Sequence, residues 1–234
     1  MLDASTGAEV GLSAEQWREL GAVLKQIQTV PLTPELTRLV GREAFRPTRR
    51  ELIADLDALL TAASDDPVVA ELAALWRARQ DVIHALVERT DELGRQLAWS
   101  SFPQVLCHAD LHTWNVLVGV DQSLWIVDWD EAILAPKERD LMFVVGGIGH
   151  GLVQPRDTEG FFQGYGEVAI DPRLLAYYRA AWAVQDVAAC GGQVLALPTL
   201  GEATRRAALD GFVDLFEPGN LIEAARAVDK AGAG

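Results

Sequence analysis

The chain has 234 residues, half of them hydrophobic and 23% charged, with a formal net charge of −14. That balance describes a globular protein with a sizeable core and excludes a disordered or low-complexity chain. The acidity, with a pI near 4.6, argues against nucleic-acid binding, which favours a basic face; it suits a cationic small molecule, because an acidic cleft concentrates cations. The two cysteines, Cys107 and Cys190, show no paired spacing, so a reducing compartment is expected. No apolar run approaches the length of a membrane span, and the first residues have neither a basic start nor an apolar run. A soluble, cytoplasmic protein without membrane or nucleic-acid partners is the expectation.

In chain order, residues 1–12 read as a lead-in. Ser13-Ala-Glu-Gln16 is a capping box, and Trp17, Leu20, Leu24 and Ile27 recur at helical spacing to about Thr29. Thr33-Pro34 caps a short helix through Val40, with proline in its first turn. Thr48-Arg-Arg-Glu51 is a second capping box, and its helix presents Leu52, Leu56, Leu59 and Leu60 and ends near Ala63. Asp66-Pro67 opens a long pattern of Leu72, Leu75, Trp76, Ile83, Leu86 and Leu93, running to about Trp99 with weak points at Thr90 or Gly94.

Beyond residue 130, a loop to Pro136 leads to a helix from about Lys137 to Val145. Gly146-Gly-Ile-Gly-His-Gly151 invites comparison with a phosphate cradle, but it matches neither glycine-rich nucleotide motif and reads better as an interhelix loop. Further helices are expected at about 158–165, from Asp171-Pro172 to about Gly191, at about 200–216 and at about 220–230.

The stretch Val105–Asp130 carries the chemistry. Asn115-Val-Leu-Val-Gly119 and Leu124-Trp-Ile-Val-Asp128 read as two strands joined by a tight turn at Asp121-Gln122. A two-residue turn there pairs Gly119 with Leu124, Leu117 with Ile126 and Asn115 with Asp128. Asn115 and Asp128 then share a sheet face as hard oxygen donors suited to Mg²⁺, whereas a slip of one residue separates them. His108-Ala-Asp110-Leu-His-Thr-Trp-Asn115 has the spacing H-x-D-x-x-x-x-N of a kinase catalytic loop. In that loop the Asp accepts the proton of the attacking hydroxyl, while the Asn and a later Asp hold metal. The same residues also offer a rival, a metal hydrolase built on His108, Asp110 and His112. On the kinase reading, His112 orients the loop or faces the substrate cleft.

These residues resemble the aminoglycoside phosphotransferase family, small-molecule kinases with a protein-kinase-like fold. Asp128-Trp-Asp-Glu-Ala132, Pro136-Lys-Glu-Arg-Asp140-Leu-Met-Phe143, Phe161-Phe-Gln-Gly-Tyr-Gly166 and Tyr177-Tyr178-Arg179 resemble the spectinomycin phosphotransferase type in particular. The resemblance implies Asp110 as catalytic base, Asn115 and Asp128 as magnesium ligands, His108 as a brace of the catalytic loop and Asp140 as its structural aspartate. It implies ATP or another nucleoside triphosphate as donor and a small, cationic, hydroxyl-bearing acceptor, in keeping with antibiotic resistance. Asp130, Glu131 and Asp186 are candidate acceptor contacts.

The resemblance covers the C-terminal lobe only. The glycine-rich hairpin, strand lysine and helical glutamate that grip ATP in such enzymes are not found, and nothing before Val105 reads as sheet. The expected fold is α+β and mostly helical, with one central β hairpin. Residues 1–234 form a single lobe (1–104 helical, 105–130 catalytic, 131–234 helical), and the N-terminal nucleotide lobe is absent. Three explanations stay open: a fragment of a longer protein, a partner that supplies the other lobe, or a lobe with a changed role, such as a non-catalytic module that sequesters a cationic ligand. An apolar face around Leu117 and Ile126 is expected to favour self-association.

Overall fold

The computed structural model describes residues 4–46, 50–145, 153–196 and 199–227. In chain order the elements are β1 (Ala4–Thr6), α1 (Gly7–Val10), α2 (Ala14–Gln28), α3 (Pro34–Leu39), β2 (Gly41–Arg42), α4 (Arg50–Leu59), α5 (Pro67–Leu97), β3 (Val105–Cys107), β4 (Val116–Gly119), β5 (Leu124–Ile126), β6 (Ile133–Ala135), α6 (Glu138–Leu141), α7 (Pro155–Tyr165), α8 (Pro172–Leu195), α9 (Glu202–Asp214) and α10 (Leu221–Ala227). They divide into two compact units, Met1–Ala44 with Ser100–Leu175 and Phe45–Trp99 with Ala176–Gly234. The glycine-rich segment Gly146–Gly151 and residues Thr48 and Arg49 of the second capping box lie outside the described residues.

Among the described residues there are six strands, all in the first unit. α2 starts where its cap dictates: Ser13 Oγ accepts from the Gln16 amide at 3.2 Å, and Gln16 Oε1 accepts from the Ser13 amide at 2.9 Å. Its buried stripe of Trp17, Leu20 and Leu24 faces α7, and two glycines set the spacing. A Cβ on Gly21 would stand 2.1 Å from the Phe161 carbonyl oxygen, and one on Gly164 1.8 Å from that of Arg18. Backbone therefore meets backbone, and Phe161 and Tyr165 complete the buried seam.

Three of the six strands correct the sequence reading. β1 pairs antiparallel with β4, giving a sheet of order β1-β4-β5. β2 and β6 join β3 in a second sheet of order β2-β6-β3. The described residues thus hold two small sheets rather than one hairpin, and two of their strands precede Val105. Residues 4–10, expected as a lead-in, begin with β1 and turn into α1, capped by Thr6 and Glu9.

The hairpin register also differs from expectation. Val116 faces Ile126, Leu117 faces Trp125 and Val118 faces Leu124. The loop has three residues, closed by Gly119 N–H donating to Ser123 O at 2.9 Å, with Gln122 left-handed at φ 67°. A left-handed third residue is the usual partner of a three-residue hairpin loop. Asn115 is consequently aligned with Val127, whose amide donates to its carbonyl at 3.0 Å, and not with Asp128.

The regular elements described in the second unit are all helices. α5 is continuous over 31 residues, about 46 Å at 1.5 Å per residue, with no break at Thr90 or Gly94. Asp66 caps it by accepting from the amides of Val68 and Val69 at 3.0 and 3.1 Å. Arg205 on α9 donates to the same Asp66 oxygen at 2.6 Å and to the Val194 carbonyl at 2.9 Å. Leu56, Leu72, Trp76, Ile83 and Phe212 are fully buried, and Trp76 stacks on Phe212 with centroids 5.7 Å apart. No helix among the described residues is long and apolar enough to cross a membrane.

Candidate active site

β3 delivers the chain into a loop that begins at His108. His108 is completely buried, and both its ring nitrogens are engaged. Nε2 lies 2.8 Å from the Val127 carbonyl oxygen, and Nδ1 accepts from the Asp110 amide at 3.3 Å. A carbonyl can only accept and an amide N–H can only donate, so the ring is the neutral tautomer with its proton on Nε2. With neither nitrogen left for a metal, the hydrolase reading built on His108-x-Asp110-x-His112 loses its first ligand. The edge of the His108 ring also packs against Trp129, centroids 4.6 Å apart, tying the loop to the segment after β5.

Ala109 follows at φ 70°, a conformation that costs a residue with a Cβ about 1–2 kcal/mol. Asp140, buried on α6, holds it there. Its Oδ1 accepts from the Ala109 amide at 2.7 Å, and its Oδ2 accepts from the His108 amide at 3.2 Å and from Gln28 Nε2 at 3.0 Å. Burial pushes the Asp140 carboxyl above the usual carboxylate range, while the hydrogen bonds from Ala109, Gln28 and His108 pull it back.

Asp110 itself is mostly enclosed, its side chain 19% exposed. One carboxylate oxygen, Oδ2, accepts from Asn115 Nδ2 at 2.8 Å, and the same nitrogen donates to the Asp110 carbonyl at 2.9 Å. The other oxygen, Oδ1, accepts no hydrogen bond from any described residue. His112 Nε2 comes within 3.2 Å of it, at ion-pair distance but without hydrogen-bond alignment. The His112 ring packs edge-on against Phe143, centroids 6.0 Å apart. A one-turn 3₁₀ helix over Thr113–Asn115 turns the chain so that Asn115 points back at Asp110. Because its amide nitrogen is committed there, the oxygen is the donor atom left for other use.

Asp128 lies just beyond the last ladder pair of the hairpin, exposed and left-handed at φ 64°. Ladder parity therefore no longer dictates where it points. Asp130 and Glu131 are exposed in the turn closed by Ala132 N–H donating to Trp129 O. Asp186 is half-buried on α8, in the second unit. The loop thus gathers His108, Asp110, Asn115 and Asp140, with His112 at its side. Gln28 and the strained Ala109 could not be picked out from the chain: one is a polar residue in an amphipathic helix, the other an alanine.

A model of the phosphotransferase enzyme family matches residues 3–205. The chain belongs to that family. Its structure is similar to spectinomycin phosphotransferase in complex with ADP and spectinomycin, with a TM-score of 0.86 and 34% identity over 98% of this chain and 70% of that one. It is also similar to the AMP-bound complex of spectinomycin phosphotransferase, at 0.85 and 34% over 97% and 70%. The fold extends to an ethanolamine kinase of Plasmodium vivax, with a TM-score of 0.57 at 14% identity over 97% of this chain and 65% of that one. The family makes this chain a small-molecule kinase of the kinase-like phosphotransferase fold.

Proposed function

We propose that the chain transfers the γ-phosphate of ATP, or of another nucleoside triphosphate, to a hydroxyl of a small cationic acceptor of the aminocyclitol or aminoglycoside class. The observation that carries this reading is the asymmetry of Asp110: one carboxylate oxygen is bound by Asn115, and the other is left without a hydrogen bond from the described residues. That second oxygen is enclosed beside His112 Nε2; in this proposal an acceptor hydroxyl that displaces the His112 ring gives it a proton as the hydroxyl oxygen bonds to the γ-phosphorus and the bridging oxygen leaves with the nucleoside diphosphate. The structures with ADP and spectinomycin, and with AMP, support nucleotide use and an acceptor of this kind.

The donor atoms fit a hard divalent cation. The Asn115 amide oxygen is turned away from Asp110, and Asp128 brings an exposed carboxylate, so these two residues would hold Mg²⁺. When bound, the ion supplies neutralisation of charge on the phosphoryl oxygens. His108 keeps the loop in place through its neutral ring, and Asn115 holds the Asp110 carboxylate in one orientation. Asp130 and Glu131 are acceptor contacts in this proposal, and the acidic balance of the chain favours a cationic acceptor. A role in antibiotic resistance, action in the cytoplasm, and residues 1–234 serving as one lobe belong to the same reading.

Phosphate transfer from ATP to spectinomycin, an aminoglycoside, choline and a sugar, compared with Asp110→Ala, tests it. Loss of a general base is expected to lower transfer by about 10²–10⁴-fold; equal rates in parent and variant overturn the assignment. Binding of a cationic ligand with no transfer favours a sequestering module. The glycine-rich hairpin and strand lysine of a nucleotide lobe are not found among these 234 residues. Each charge-assisted hydrogen bond they make is worth about 1.5–3 kcal/mol. MgATP is therefore expected to bind this chain weakly in calorimetry unless a partner or a further segment supplies those donors; tight binding by the chain alone contradicts that part of the proposal.

A further inference from the structure

The buried carboxylate of Asp140 has a third tie besides its two loop amides, and that tie leads away from the site. Gln28, the last residue of α2, is buried and donates from Nε2 to Asp140 Oδ2 at 3.0 Å. A carboxylate accepts only, so the amide nitrogen must face it. The Gln28 oxygen must then face the other way, where the Tyr165 hydroxyl at the end of α7 donates to it. With Asp140 ionised, the bonds run from Tyr165 to Gln28, from Gln28 to Asp140, and from the amides of His108 and Ala109 to Asp140. Burial pushes the Tyr165 hydroxyl well up, which keeps it a donor.

We infer that Gln28 and Tyr165 are positioning residues for phosphate transfer: together they fix the orientation of Asp140, and through it the left-handed Ala109 that aims Asp110. Four observations carry this. The amide of Gln28 has one permitted orientation, and Tyr165 is what holds it. Asp140 is fully buried and cannot recruit solvent for a lost donor. Ala109 carries a Cβ at φ 70°, so it relaxes toward ordinary backbone when its hold loosens. Finally, α2 and α7 meet through Gly21 and Gly164, a contact close enough to present Gln28 and Tyr165 to each other as a rigid pair. The inference rests on the proposed role of Asp110 for its catalytic meaning, while the mechanical coupling can be measured without turnover.

The test is amide hydrogen exchange in the full chain, read at His108 and Ala109 and, as a control, at Leu20 and Leu24 of α2. Gln28→Leu is expected to speed exchange at the two loop amides by about tenfold, the scale of one lost hydrogen bond, with the α2 amides changed by less than about twofold. Tyr165→Phe removes a single oxygen and keeps the ring, so it reports even if Gln28→Leu fails to fold, and it should act on the same two amides. Because both act through one orientation, the double variant should match the stronger single one. Exchange that rises equally in α2 and in the loop, or effects that add in the double variant, overturn the inference. Where acceptor phosphorylation is observed, both variants should lower kcat with little change in acceptor KM. A loop that loosens in a chain without turnover upholds the coupling and counts against the proposed function alone.

Discussion

The two compact units are built on different terms. The second is helix on helix, with a core of Leu56, Leu72, Trp76, Ile83 and Phe212, and its buried polar contacts are pairs at helix ends and faces, such as Arg205 with Asp66. The first holds the sheets, the buried His108, Asn115 and Asp140, and three of the four left-handed non-glycine residues, Ala109, Gln122 and Asp128. Residues held in such conformations persist only where the surroundings over-determine them, and they gather at functional sites. One unit is optimised for packing, and the other tolerates strain and buried charge to hold a loop in one shape.

The most direct way to break that contrast is to truncate one buried residue in each unit. Asp140→Ala strands the amides of His108 and Ala109 and the Gln28 nitrogen, and should cost roughly 3–5 kcal/mol in urea denaturation, since each buried unsatisfied group costs about 1–3 kcal/mol; transfer activity should be lost well below the new melting temperature. Leu72→Ala in the second unit should cost a similar 2–5 kcal/mol, yet leave transfer intact in the cold. If both variants lose activity only on melting, the two units are not specialised in this way.

Protonation sharpens the same comparison through one buried carboxyl of the first unit, Asp140, and one carboxyl of the second, Asp57, which are displaced in opposite directions. Burial alone would raise Asp57, but hydrogen bonds from Trp76, His84 and Gln80 outweigh it and hold the carboxyl below the usual range. A depressed folded value means that its contribution is complete above about pH 4 and fades as pH falls through the folded value. Asp140 runs the other way: with its folded value raised, its contribution declines as pH rises from the unfolded value through the folded one. Asp57→Asn should therefore flatten the acid limb of the stability curve below about pH 4, measured as urea midpoints against pH. An unchanged limb removes Asp57 from the account.

Much of this architecture was legible in the chain. The capping residues Ser13, Thr33 and Asp66 mark helix starts that the structure keeps, and the periodic leucines of α5 name its buried face. The spacing H-x-D-x-x-x-x-N by itself brings His108, Asp110 and Asn115 together. What escaped was short or relational. β1, β2 and β6 have two or three residues each, too few for alternation to register. The hairpin register differs from the one the sequence suggests because Gln122, an unlikely residue for a left-handed turn, makes the loop three residues long. Asp128 was expected opposite Asn115 on a ladder that ends before reaching it. Gln28 and Tyr165 look like ordinary helix residues, and only their meeting at Asp140 gives them meaning.

The smallest expected effect lies at that same turn. Gln122→Gly relieves a left-handed residue at an exposed position and should stabilise the chain by up to about 1 kcal/mol, with exchange at the Asp110 loop unchanged. Destabilisation would mean that the hydrogen bond from Gln16 Nε2 to the Gln122 side-chain oxygen at 3.5 Å, which the glycine removes, outweighs the relief of the backbone.

The glycine contact between α2 and α7 has a last consequence. Where two helices touch through bare backbone, axial sliding is blocked in both directions, because the neighbouring turns bear side chains that do not fit the gap. The pair works as an indexing notch: with Gly21 against Phe161 and Gly164 against Arg18, the far ends of both helices are set to within less than a helical turn. Drift elsewhere along either helix can then accumulate without moving the point where they hand their alignment to the loop.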